Sequence, residues 1–253
     1  MITIAILNQK GGVAKTTTAL NLGAYLAQMG HKTLLVDLDM QANLTLALNV
    51  ENPEKTIYDF FHKEKTIATP VRENLDLLPS TIDFAGIELE IVNELQREML
   101  LHKALEQVKS NYQYCIIDCP PSLNMITVNA LSATNCIIIP LEASLYAIKG
   151  LDMMIDNVSR VRKDINPSLF ILGILITKYT DRAIVSRRLF DRLDEMDLTS
   201  HLFETKIRYS ADLKKAEDTQ QTVYEFSRGS LAASDYQNFA DEVINRLNTI
   251  YHE

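Results

Sequence analysis

From position 9 the chain reads Gln9-Lys10-Gly11-Gly12-Val13-Ala14-Lys15-Thr16-Thr17, directly after the apolar run Ile2–Asn8. Two glycines let backbone N–H groups close on an anion, two lysines supply charge, and adjacent hydroxyls can meet a cation. If a helix begins here, its unpaired N–H groups and dipole add positive potential at the same place. That set of groups is suited to a polyphosphate with a divalent metal. Lys15 falls where a lysine reaches β- and γ-phosphates, and Thr16 where a hydroxyl meets Mg²⁺. The ordinary phosphate loop GxxxxGK[ST] is not matched, because Gln9 and Ala14 stand in both glycine slots. The variant KGGxxK[ST], with an extra lysine in front, is.

Two carboxylate motifs accompany the loop. Val36-Asp37-Leu38-Asp39 closes one short apolar run, and Cys115-Ile116-Ile117-Asp118 closes another, followed by Pro120-Pro121. Ligands of open α/β sheets sit beyond the carboxyl ends of the strands, so three such ends can share one site. Asp118 then reads as an acid that helps hold Mg²⁺, through water.

The elements that would position these groups follow from apolar periodicity. Strands are expected at Ile2–Asn8, Thr33–Asp37, Leu75–Pro79, Tyr114–Asp118, Cys136–Pro140, Leu169–Thr177 and Leu202–Ile207. Helices are expected near Lys15–Met29, Phe84–Asn93, Arg97–Ser110, Ala147–Lys163 and Ala232–Tyr251, the first ending at Gly30. The alternation predicts an α/β fold, a doubly wound, mostly parallel sheet flanked by helices, with residues 1–253 as one domain. A net charge of −8 excludes a protein coated in basic residues but leaves a local basic face open. No apolar stretch is long enough to read as a membrane span. No secretory leader is visible, and the odd set Cys115, Cys119 and Cys136 suits a reducing compartment, so a cytoplasmic protein is expected. Cys115 and Cys119 read as core residues, and the five scattered histidines show no metal spacing.

The segments QKGGVAKTTTALNLGAYLA, LLVDLDMQANLT, LPSTIDFAGIELE and YCIIDCPPSLNMITVNAL resemble the ParA/Soj branch of the ParA–MinD superfamily, P-loop ATPases with a deviant Walker A loop. The resemblance covers nearly the whole chain and lacks an N-terminal DNA-reading extension. It implies an ATPase that binds ATP and Mg²⁺, dimerises on ATP and turns over slowly until a ParB-like activator engages it. Lys10 matches the signature lysine that crosses to the partner's phosphates. Lys15 and Thr16 match the phosphate lysine and magnesium threonine. Asp39 matches the residue that orients or activates water, Asp118 matches the Walker B acid, and Asp37 fits a supporting role near the metal, so that Thr16, Asp37, Asp39 and Asp118 form the candidate metal set. Gly11, Gly12, Val13, Ala14 and Thr17 complete the cradle; Thr177 and Lys178 supply one side of the base pocket, with Ile207 and Arg208 bordering it.

Two departures stand out. Relatives usually carry Gly where this chain has Ala14; if the position needs positive φ, alanine costs about 1 kcal/mol, and otherwise the change is nearly silent. The proline that relatives often place beside Arg208 is absent.

Relatives also bind DNA without sequence preference through their C-terminal third. Residues 178–215 hold nine basic and seven acidic side chains, a positive excess within an acidic chain. Arg182, Arg187, Arg188, Lys206, Lys214 and Lys215 are therefore candidate DNA contacts; a solvated, mixed-charge surface is the bland alternative. Tyr146 and Gly150 fit either a dimer interface or core packing. Three neighbouring classes need separating: a MinD-like membrane-surface switch, a metabolic ligase of the dethiobiotin synthase type, and a nucleotide holder without turnover. A basic amphipathic tail would mark the first, but the tail carries Asp235, Asp241, Glu242 and Glu253 against Arg246 and reads as a packed helix. The expected function is a partition ATPase associated with the nucleoid, with no membrane partner.

Overall fold

The computed structural model describes residues 1–62, 64, 68–142, 145–180 and 190–252. Its strands are β1 (Ile2–Ile6), β2 (Thr33–Asp37), β3 (Thr69–Arg72), β4 (Leu75–Leu78), β5 (Tyr114–Asp118), β6 (Cys136–Glu142), β7 (Phe170–Tyr179) and β8 (Leu202–Arg208). The principal helices are α1 (Lys15–Gln28), α2 (Asn43–Ala47), α3 (Ile57–Phe61), α4 (Leu100–Glu106), α5 (Met125–Ser132), α6 (Leu145–Asp164), α7 (Ala211–Asp218) and α8 (Leu231–His252).

The strands form one sheet in the order β3-β4-β2-β5-β1-β6-β7-β8, parallel throughout except for the β3–β4 pair. The Ile-, Leu- and Val-rich central strands have the composition of strands covered on both faces. One face packs Ile4, Ile6, Ile116 and Ile138 under α1 and α8, through Leu22, Leu26, Tyr236, Phe239 and Val243. The other packs Ala5, Val36, Ile117, Ile137 and Ile139 under α3 to α6, through Phe60, Leu101, Ala130, Leu151 and Met154. All three cysteines are buried in these layers and unpaired in disulfides, and burial pushes each thiol up.

The register delivers the site. Ile6 pairs with Asp118, and Asp37 pairs with Asp118, so the three central strands end flush at one edge. The loop after β1 and the acids of β2 and β5 therefore open onto one crevice.

Several boundaries differ from expectation. β1 stops at Ile6, because Asn8 turns its side chain into loop hydrogen bonds. β3 was not foreseen; its Pro70 is tolerated on an edge strand that pairs on one side. The helix expected near Phe84–Asn93 breaks into short 3₁₀ and α turns around Gly86. α5 carries β-branched residues that hid it, yet Asn124 caps it by accepting from the Thr127 amide at 3.2 Å. α8 is a packed terminal helix. Its Arg246 donates to the Leu172 carbonyl and lies 4.2 Å over the Phe203 ring. No helix among the described residues is long and apolar enough to cross a membrane.

Candidate nucleotide site

Residues 7–14 carry the chain from β1 to α1. Gly12 sits at φ 74°, and Ala14 at φ 66°, ψ 32°, in the left-handed region. Ala14 therefore occupies a position that favours glycine. Ala14 also precedes α1 without a side-chain cap, while its carbonyl accepts the Thr18 amide at 2.9 Å. The first-turn N–H groups of α1 are thus left for an incoming anion. A Cβ placed on Gly11 or Gly12 would meet nothing within 4 Å, so the loop faces open space.

Two tethers fix the loop to the sheet. The Asn8 amide donates to the Pro140 carbonyl at 2.7 Å, and its side-chain oxygen accepts the Lys10 N–H at 2.9 Å. On the other side the Thr177 hydroxyl donates to the Val13 carbonyl at 3.1 Å. Val13 buries its side chain completely, so its contribution to the cradle is backbone alone.

Behind the loop lie the charged groups. Lys15 is buried, and its ammonium donates to the Lys10 carbonyl at 3.2 Å. Burial lowers its pKa below the ordinary lysine range, opposed by the charge of Asp118. The Thr16 hydroxyl donates to Asp118 Oδ2 at 2.6 Å. Asp118 Oδ1 is buried and finds no hydrogen-bond partner among the described residues. Burial, then the neighbouring charge of Asp37, pushes Asp118 up to about 8. A buried carboxylate oxygen without a donor, beside a hydroxyl, is a hard-oxygen pair that a cation such as Mg²⁺ would satisfy. Among the described residues no cluster of three or more His, Cys, Asp or Glu is arranged to hold a metal, so phosphate and water would complete any coordination.

Asp37 points elsewhere. Its Oδ2 accepts both the amide (2.9 Å) and hydroxyl (2.8 Å) of Thr45, and its Oδ1 accepts the Asp39 amide at 3.1 Å. It is fully buried, with its pKa pushed up to about 6 by burial. These bonds make it the anchor of the turn that presents Asp39. Asp39 is half-buried, accepts the Gln41 amide at 3.0 Å and lines the cleft.

The cleft has a volume of about 540 Å³. Of the residues expected from the sequence, Gly11, Gly12, Ala14, Lys15, Thr16, Thr17, Asp39, Thr177, Lys178, Ile207 and Arg208 converge on it. Lys10 does not; its ammonium lies 3.1 Å from Glu142. Arg208 is drawn partly aside, donating through its side chain to both carboxylate oxygens of Asp235. The far wall comes from residues the sequence reading assigned elsewhere or passed over: Tyr209, Leu213, Lys214 and Glu217. Most of that wall is α7, whose signal was Ser210 two residues before Asp212, where the Ser210 hydroxyl accepts the Asp212 amide at 3.2 Å.

Among the candidate DNA contacts, Arg182, Arg187 and Arg188 lie outside the described residues, as does the side chain of Tyr146. Lys214 stands on the cleft wall and pairs with Asp218 at 3.0 Å. Lys206 lies 4.9 Å over the Tyr179 ring, and Lys215 is exposed.

Comparison with known proteins agrees with this geometry. Residues 1–171 match the AAA domain family. The sporulation initiation inhibitor protein Soj of Bacillus subtilis is 39% identical over 95% of this chain and 97% of its own length. The chromosome-partitioning ATPase Soj of Treponema pallidum is 36% identical over 96% and 97%. In structure, cobyrinic acid a,c-diamide synthase of Mycobacterium smegmatis, solved with an ATP analogue and magnesium, superposes with TM-score 0.84 at 30% identity, covering 98% of this chain and 96% of that one. Taken with the phosphate loop and the Thr16–Asp118 pair, these likenesses place the chain: it belongs to the ParA/Soj family of partitioning ATPases.

Proposed function

We propose that this protein is an ATP-driven partition switch. ATP binding clasps two copies together, the clasped form holds DNA without sequence preference, and a ParB-like activator triggers hydrolysis. The observation that carries this reading is the bare Asp118 oxygen beside Thr16 at the mouth of the glycine cradle.

The residues divide the work. Gly11, Gly12 and the start of α1 offer N–H groups to the phosphates, and Lys15 neutralises their charge. Thr16 and Asp118 would hold Mg²⁺, which when bound screens charge on the transferring phosphoryl group. Asp39, held by the Asp37 anchor, orients the attacking water. Lys10 serves the second copy. Thr177, Lys178, Ile207 and Arg208 form one side of the base pocket, and the α7 wall faces them. Catalysis rests on positioning and on cations facing the developing charge. For DNA, the exposed Lys215 of α7 gives the firmest support among the described residues, with Lys206 on β8 a second candidate. The reading carries with it a cytoplasmic, nucleoid-associated protein.

Size exclusion of Asp39→Ala with ATP and with ADP tests the clasp, and ATP-dependent retention on DNA tests the matrix. A dimer with ATP alone, lost in Lys10→Ala, is expected. A chain that stays monomeric with uncleaved ATP, and is indifferent to Lys10→Ala, would overturn the proposal.

A further inference from the structure

We infer that Glu142 is a positioning residue for Lys10: it holds the ammonium off its own cradle, and a second copy's phosphates must take it from there. The inference rests on the proposed clasp of two copies. Lys10 and Glu142 are 132 residues apart in sequence, yet their side chains meet at 3.1 Å.

The contact is built into the frame. Glu142 ends β6, two residues beyond Pro140, whose carbonyl accepts the Asn8 amide. The same buried Asn8 side chain accepts the Lys10 N–H, so one residue spaces both partners of the ion pair. Glu142 also sits in register with Thr177 on β7, and the Thr177 hydroxyl holds the Val13 carbonyl. The carboxylate and the phosphate loop are therefore tied to the same strand ends. Within a single chain the cradle is served by Lys15, which lines the cleft, while Lys10 does not.

A phosphate held by a second copy would then compete with Glu142 for the Lys10 ammonium. Capture by the phosphate must break the first contact, so Glu142 raises the threshold for clasping and takes the ammonium back on release. Both side chains are about one-third exposed, at 36% and 34%, so water screens the pair. Exposed pairs of this kind are worth about two- to fivefold in an equilibrium constant.

Glu142→Gln keeps the shape and removes the charge. In an Asp39→Ala background with ATP, sedimentation at low salt should give a dimer dissociation constant about two- to fivefold lower than with Glu142 intact. That difference should collapse near 1 M salt, where the screening length is about 3 Å; a change in packing alone would not respond to salt. Glu142→Asp should stay with the unmutated residue. An unchanged or higher dissociation constant for Glu142→Gln at low salt would overturn the inference. Lys10→Ala in the same background separates the two ideas. If it leaves the dimer intact, the clasp itself fails. If it abolishes the dimer while Glu142→Gln shifts nothing, only the role of Glu142 fails.

Discussion

Replacing Ala14 with glycine should make this protein more stable, although it removes a methyl group from a half-buried position. Ala14 is held at φ 66°, ψ 32°. For an L-residue with a Cβ, that conformation costs about 1–2 kcal/mol, and glycine escapes the cost. Glycine also gains freedom in the unfolded chain, which returns about 0.4–1 kcal/mol. The difference favours Ala14→Gly by about 0.5–1 kcal/mol. In a chain of 253 residues this corresponds to a rise in Tm of about 1–4 °C. The Ala14 carbonyl keeps its bond to the Thr18 amide in either case, so the start of α1 is unchanged. Calorimetry on the nucleotide-free protein reads the effect directly, and Ala14→Val is the opposing control, because a β-branched side chain tolerates positive φ less well. An equal or lower Tm for Ala14→Gly would refute the strain argument.

Gly11 poses the converse case. Its φ is not left-handed and its surroundings are open, so Gly11→Ala should leave the nucleotide-free Tm within about 2 °C of wild type. In the proposed phosphate cradle the added Cβ would crowd the incoming phosphate, and isothermal titration should show ATP affinity reduced at least about tenfold, or about 1.4 kcal/mol. Asp118→Asn separates stability from function. Because burial and Asp37 push Asp118 up to about 8, the free fold favours its protonated form, and stability falls as pH rises from about 4 towards 8. The asparagine variant should therefore exceed wild type by about 5 kcal/mol at pH 8 in denaturant titrations, converge with it below pH 4, and lose ATP hydrolysis. A stability gap that does not change with pH would contradict the assignment.

Much of this molecule was legible in the order of its residues. The strands β2 and β5 fall on Thr33–Asp37 and Tyr114–Asp118 as expected, because runs of Ile, Leu and Val covered on both faces carry their own signal. The loop from Lys10 to Thr17 was equally plain, since its chemistry depends on residue types at fixed local spacing. What lay beyond reach depended on neighbours distant in the chain. The handedness of Ala14 is imposed by a loop tied to Pro140 on one side and Thr177 on the other. Asp37 and Asp39 look alike in the motif, yet the fold turns one inward onto Thr45 and the other into the cleft. Lys214, set among surface charges in the sequence, becomes part of the cleft wall because α7 packs across it. Local sequence set the groups that can do the chemistry. Long-range packing set their directions, because a side chain's orientation and electrostatic partner belong to the surfaces that close around it.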